Sequence, residues 1–104
     1  MKKINTIEEY KAIDGSNTSI IEFGMEEGCI PCKMTKENLN ELEEEKTFDA
    51  DYYFCGNIDI IASLGYSSVP TVMVLTKNVK VELNDSSISM DKEELTDWIK
   101  SHLN

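Results

Sequence analysis

Two cysteines separated by two residues, in Cys29-Ile30-Pro31-Cys32, are the side chains of this sequence with the clearest capacity for chemistry. A thiol pair at that spacing can close reversibly into a disulfide, or supply half of a tetrahedral metal site. The metal use needs four donors. The other candidates, Cys55 and His102, do not stand at metal-ligand spacing from the pair, so no metal is expected. The redox use needs one sulfur that ionises near neutral pH and a second within reach of it. A plainer alternative is two ordinary buried cysteines, and the elements around the pair decide against it.

Ser19-Ile20-Ile21-Glu22-Phe23 reads as a buried strand ended by Gly24. From Ile30 to about Lys46 the chain is rich in helix formers, and Cys32, Thr35, Leu39 and Leu42 fall on one narrow arc. The pair therefore lies between a strand and a long helix, with Cys29 where the helix cap belongs. First-turn N–H groups have no intrahelical partner, and the helix dipole is positive there. Both favour a thiolate, so the Cys29 pKa is expected to fall, giving a better nucleophile and a better leaving group. Two intervening residues place Cys32 one turn away, on the arc that faces the core. It can attack a mixed disulfide at Cys29 and release the reduced partner. Pro31 fits the first turn, where its missing N–H does no harm.

Elsewhere, Thr6-Ile7-Glu8-Glu9 has the form of a capping box and opens a short helix with Ile7, Tyr10 and Ile13 inward. Tyr52-Tyr53-Phe54-Cys55 reads as a second buried strand. A short helix over Ile60 to Leu64 follows, with Asp59 as cap and Gly65 as stop. Thr71-Val72-Met73-Val74-Leu75 is an apolar third strand. Val79, Val81 and Leu83 alternate with Lys80 and Glu82, the pattern of a hairpin partner wet on one face. Asp91-Lys92-Glu93-Glu94 opens a last helix with Leu95, Trp98, Ile99 and Leu103 inward. A short strand at Lys3-Ile4 is also expected. This alternation implies an α/β fold with parallel pairing, helices on both faces of a central sheet, and a C-terminal hairpin followed by a helix.

Composition bounds the function. At 104 residues, one domain over 1–104 is expected, large enough to bury roughly 60–70% of its unfolded surface. The net charge is −10 and all ten basic residues are lysine. That balance argues against nucleic acid, since little would neutralise phosphates, and against an anionic membrane surface. No apolar stretch reaches membrane-spanning length. Met1-Lys2-Lys3-Ile4 is followed by charged residues rather than an apolar run, so no signal peptide is read. A cytoplasmic location is expected, where a Cys-x-x-Cys pair means redox or metal chemistry.

Taken together, Ile20-Ile21-Glu22-Phe23, Cys29-Ile30-Pro31-Cys32-Lys33-Met34, Asn57-Ile58-Asp59 and Gly65-Tyr66-Ser67-Ser68-Val69-Pro70-Thr71 resemble a thioredoxin, in order and near thioredoxin spacing, over essentially the whole chain. The resemblance implies a thioredoxin-like mixed sheet of four or five strands. It implies that Cys29 is the exposed attacking thiol and Cys32 the resolving one. It implies that Val69-Pro70 is a cis peptide facing the disulfide, with Gly28, Ile30, Pro31, Val69, Pro70 and Thr71 forming the substrate-binding rim. The implied activity is protein-disulfide reduction and electron carriage, with no cofactor beyond the Cys29–Cys32 disulfide. The implied partners are disulfide-containing client proteins and a thioredoxin reductase, an NADPH- or ferredoxin-linked flavoprotein; a monomer is expected. The alternatives are a dedicated redox partner of one enzyme, an oxidant-leaning relative, or a noncatalytic binding module.

Several positions depart from the family's pattern. Its tryptophan before the first cysteine is Gly28, in a loop one residue longer than usual. Its glycine between the cysteines is Ile30, and the proline of its long helix is Glu37. Its groove glycine is missing from Asn84 to Met90. Glu26 and Glu27 bring negative charge near the sulfur, which opposes thiolate formation. Glu22 resembles the family's buried acid, which shuttles a proton for the resolving cysteine. The lysine that accompanies that acid on the next strand is Cys55 here. A buried carboxylate without a cation has a raised pKa, fitting Glu22 as a general base for Cys32. The alternative is a strand-edge glutamate reaching solvent.

Overall fold

The strand preceding the cysteine pair is the middle member of a five-stranded sheet. A computed structural model describes residues 1–103. Its elements are β1 (Lys2–Lys3), α1 (Ile7–Lys11), β2 (Ser19–Phe23), α2 (Ile30–Glu44), β3 (Asp51–Cys55), α3 (Ile58–Ser63), β4 (Thr71–Leu75), β5 (Lys80–Leu83), α4 (Ser86–Ser89) and α5 (Lys92–His102). The strand order is β1-β3-β2-β4-β5. β1 and β2 run parallel to β3, β4 runs antiparallel to β2, and β5 antiparallel to β4. The mixed sheet, the helices on both faces and the terminal hairpin agree with expectation.

The direction of β4 does not. Alternating elements imply parallel pairing, yet β4 opposes β2 across five register pairs from Ser19↔Leu75 to Phe23↔Thr71. The chain leaving β3 beside Phe23 passes through α3 and the loop to Pro70 without returning to the other end of the sheet, and β4 begins where β3 ended. This brings Thr71 beside Phe23, at the end of β2 that leads to the cysteines.

Two core layers follow from strand alternation. Ile20, Tyr52, Val72, Val74 and Leu83 pack with Leu39 and Leu42 of α2 and Leu95 and Ile99 of α5. On the other face, Ile21, Phe23, Cys55 and Met73 pack with Ile60 and Ile61 of α3 and, at the rim, Ile7, Tyr10 and Ile13. Full burial of each such side chain is worth roughly 1.5–3 kcal/mol.

Local signals set most boundaries. The capping box at Thr6 and Glu9 is formed in both directions. The Asp91 side chain accepts from the Glu94 N–H. α2 closes with Lys46 in the left-handed region and the Thr47 N–H donating to the Leu42 carbonyl, two residues before the expected end. Gly65, at φ 82°, stops α3 in the same way. The cap of α3 is Asn57 rather than Asp59, its side chain accepting from the Asp59 and Ile60 N–H groups. Asp59 instead adds charge to the first turn. The stretch from Asn84 to Met90 holds α4, capped by Asp85 and docked on α2 by a buried Thr35–Ser89 hydroxyl pair at 2.9 Å.

Candidate active site

Each cysteine is placed by a different part of α2. Cys29 is the N-cap, in extended backbone, and its Sγ accepts the Cys32 N–H at 3.2 Å. It is half-buried, while Cys32 is 1% exposed among Thr35, Leu39 and Leu42 on the inward arc. Their Cα atoms are 5.3 Å apart and the sulfurs are joined as a disulfide. The Met25 N–H points at Cys32 Sγ from 3.5 Å. The spacing expectation is met: one sulfur at the cap, the second a turn below, both facing main-chain donors.

Glu22 is fully buried, which removes the reading of a strand-edge glutamate in solvent. Neither carboxyl oxygen has a hydrogen-bond partner among the described residues. Burial pushes its pKa up from 4.5 to about 8, and the Lys36 ammonium pulls it partly back. A cation is thus present, but on α2 rather than on β3. Register places Phe54, not Cys55, directly beside Glu22. Cys55 pairs with Phe23 and faces the opposite core layer, where burial raises its thiol pKa. The Lys36 ammonium sits over the Phe54 ring, 4.2 Å from its centroid.

Gly24 joins the acid to the sulfur. A Cβ built there would stand 3.0 Å from Glu22 Oε2 and 3.3 Å from Cys32 Sγ, so carboxyl and sulfur border one small space. Glycine at this position keeps that space open. The other acids are less intrusive than their sequence position suggests. Glu26 is paired with Lys3 at 2.7 Å, and that pairing holds its carboxyl below the usual range.

The remaining rim residues gather at the same end of the sheet. Val69-Pro70 is cis, as the resemblance implies. Pro70 is buried and Val69 half-buried, and Thr71 caps its own turn by donating to the Ser68 carbonyl at 2.9 Å. Gly28 is exposed at φ 75°, Pro31 half-buried, and Ile30 73% exposed. Met25 and Ile58, both exposed, border one cleft with Gly56. Sequence reasoning missed the roles of Gly24 and Lys36. A glycine between a buried acid and a Cys-x-x-Cys, and a lysine one turn beyond Cys32, were the available signals.

The fold that carries these residues recurs among solved structures. A thioredoxin of Fasciola hepatica superposes with a TM-score of 0.78 over 98% of this chain and 99% of its own, at 15% identity. Mitochondrial thioredoxin 3 of Saccharomyces cerevisiae, in its oxidised form, gives 0.75 over 97% and 94%, at 20% identity. Thioredoxin O2 of Arabidopsis thaliana, also oxidised, gives 0.74 over 99% and 94%, at 22% identity. The chain has the thioredoxin fold. No family model matches the sequence, and no curated protein is significantly similar to it. On the thioredoxin fold, the cysteine pair here occupies the junction of the central strand and the long helix.

Proposed function

We propose that this chain is a thiol-disulfide oxidoreductase that reduces client disulfides by exchange at Cys29 and Cys32. The observation that carries the reading is the pair itself: Cys29 Sγ at the α2 N-cap, bonded to a buried Cys32 that borders the Glu22 carboxyl.

In the dithiol form, the Cys29 thiolate attacks one client sulfur. The Cys29–client bond forms, the client disulfide breaks, and the second client sulfur leaves as a thiolate. Cys32 then gives its proton to the Glu22 carboxylate and attacks Cys29 Sγ. The Cys29–Cys32 bond forms, the Cys29–client bond breaks, and the client leaves as its second thiolate. Two electrons pass to the client. Main-chain donors at both sulfurs support the thiolates on the way. A reductase restores the dithiol, and the cycle belongs in a reducing, cytoplasm-like compartment. Gly28, Ile30, Pro31, Val69, Pro70 and Thr71 form the rim that receives the client.

A second reading, a partner devoted to one enzyme, is favoured by the rim. Met25, Ile30, Met34 and Ile58 are large apolar side chains left exposed, and Met25 and Ile58 border one cleft, surface suited to a specific contact. Insulin reduction with dithiothreitol tests the leading reading: the wild type accelerates it and Cys29→Ser abolishes the acceleration. A wild type no faster than dithiothreitol alone refutes general reductase activity. The reduction potential then separates a reductant from an oxidant.

A further inference from the structure

A buried carboxyl group with no hydrogen-bond partner is a proton carrier only if something keeps it from staying protonated. A direct salt bridge would hold Glu22 ionised, and no charge at all would hold it neutral. The structure takes neither course. β2 presents Glu22 to the layer under α2, register places Phe54 beside it, and the Lys36 ammonium lies over that ring at 4.2 Å. Lys36 follows Cys32 by four residues, one turn along α2, so the cation and the sulfur rise from one side of the same helix.

We propose that Lys36 is a positioning residue for the proton step at Cys32: held over the Phe54 ring, its ammonium sets the pH at which the Glu22 carboxylate accepts the Cys32 proton. The inference rests on the exchange reading above. The aromatic face holds the ammonium by cation–π attraction without giving it a carboxylate partner. Its field reaches Glu22 through space while both carboxyl oxygens stay free to take a proton.

The other groups around Glu22 do not do this. From α2 come Cys32, the proton donor, and Thr35, whose hydroxyl is spent on Ser89. β3 offers Phe54 and, on the same face, Tyr52, whose phenol is kept protonated by burial and by the Glu43 charge. β4 offers Val72. The loop after β2 offers Glu26, whose carboxylate is already paired with Lys3. Lys36 also draws Glu26 down, so its charge bears on a buried acid and an exposed one, with no ion pair to either among the described residues.

Stopped-flow reduction of 5,5′-dithiobis(2-nitrobenzoate) by the dithiol protein separates the two steps. The first thionitrobenzoate reports attack by Cys29 and the second reports resolution by Cys32. In Lys36→Met the pH midpoint of the second phase should rise by about one unit, slowing that phase several-fold near neutral pH. The first phase should move much less, and Lys36→Arg should restore the wild-type midpoint. In a Glu22→Gln background, Lys36→Met should no longer shift the second phase. Lys36→Gln, and the Glu22 carboxyl titration followed by carbon-13 NMR, read the same charge if the methionine variant folds poorly. An unmoved second-phase midpoint, an equal shift of both phases, or an undiminished shift without Glu22 would overturn the proposal. A wild type that releases no second thionitrobenzoate would instead refute the exchange reading beneath it.

Discussion

Where β2 begins, the polar groups of the strand itself are paired, and the one buried group beside it without a partner among the described residues is the neutral Tyr52 hydroxyl. The Ser19 hydroxyl donates to the Asn17 carbonyl, the Thr18 carbonyl accepts the Asp51 N–H, and buried Gly15 lies against the Thr76 backbone. Where β2 ends, a carboxyl group is buried with no partner, a glycine at positive φ stands in open space, and isoleucines face solvent. The two ends share one strand and one sheet. The first is built as ordinary packing. The second keeps an acid dry, a glycine between it and Cys32, and a rim apolar, features that cost stability and that the proposed exchange would use.

The largest expected effect comes from removing that acid. Folded Glu22 keeps its proton up to about pH 8, against an ordinary carboxyl at 4.5. Between those values the folded chain holds the proton and the unfolded chain does not. Stability therefore falls as pH rises from about 4.5 and levels off above about 8. Urea unfolding of the oxidised protein at pH 5 and pH 9 should show this decline, worth roughly 3–5 kcal/mol. Glu22→Gln should abolish most of it. A variant as pH-sensitive as the wild type would erase the contrast between the two ends.

Alanine at the glycines sharpens the contrast. At Gly15 a Cβ would meet the Thr76 carbonyl oxygen at 2.6 Å, with φ at 81°. Gly15→Ala should cost about 2–4 kcal/mol by thermal unfolding, while insulin reduction per folded molecule is unchanged. Gly24→Ala meets side chains, Glu22 Oε2 and Cys32, at 3.0–3.3 Å. It should cost less, about 1–2 kcal/mol, yet slow resolution by Cys32, an effect read in the second thionitrobenzoate phase. Gly28→Ala is the mildest. Nothing lies within 4 Å of its Cβ position, so only left-handed strain remains, about 1 kcal/mol in the unfolding free energy.

Much of this molecule was legible from residue order, because local rules govern it. The buried arc Cys32, Thr35, Leu39 and Leu42 is helical geometry, and Cys29 at the cap follows from where that helix starts. The stop at Gly65 follows from its tolerance of positive φ. The direction of β4 was not legible from alternation, since it depends on the end of the sheet at which the connection through α3 leaves the chain. Nor was the cation whose charge bears on Glu22. A family pattern pointed to β3, where Cys55 turns to the other face. The cation arrives from α2, across the layer, and only packing brings Lys36 over Phe54.

The donor that meets Cys29 Sγ is the amide of Cys32, a main-chain group that every residue but proline would supply there. Drift in the surrounding loop leaves it in place. Under the proposed exchange, substitutions at positions 25, 28, 30 and 58 would alter what the rim accepts and leave that amide donor untouched.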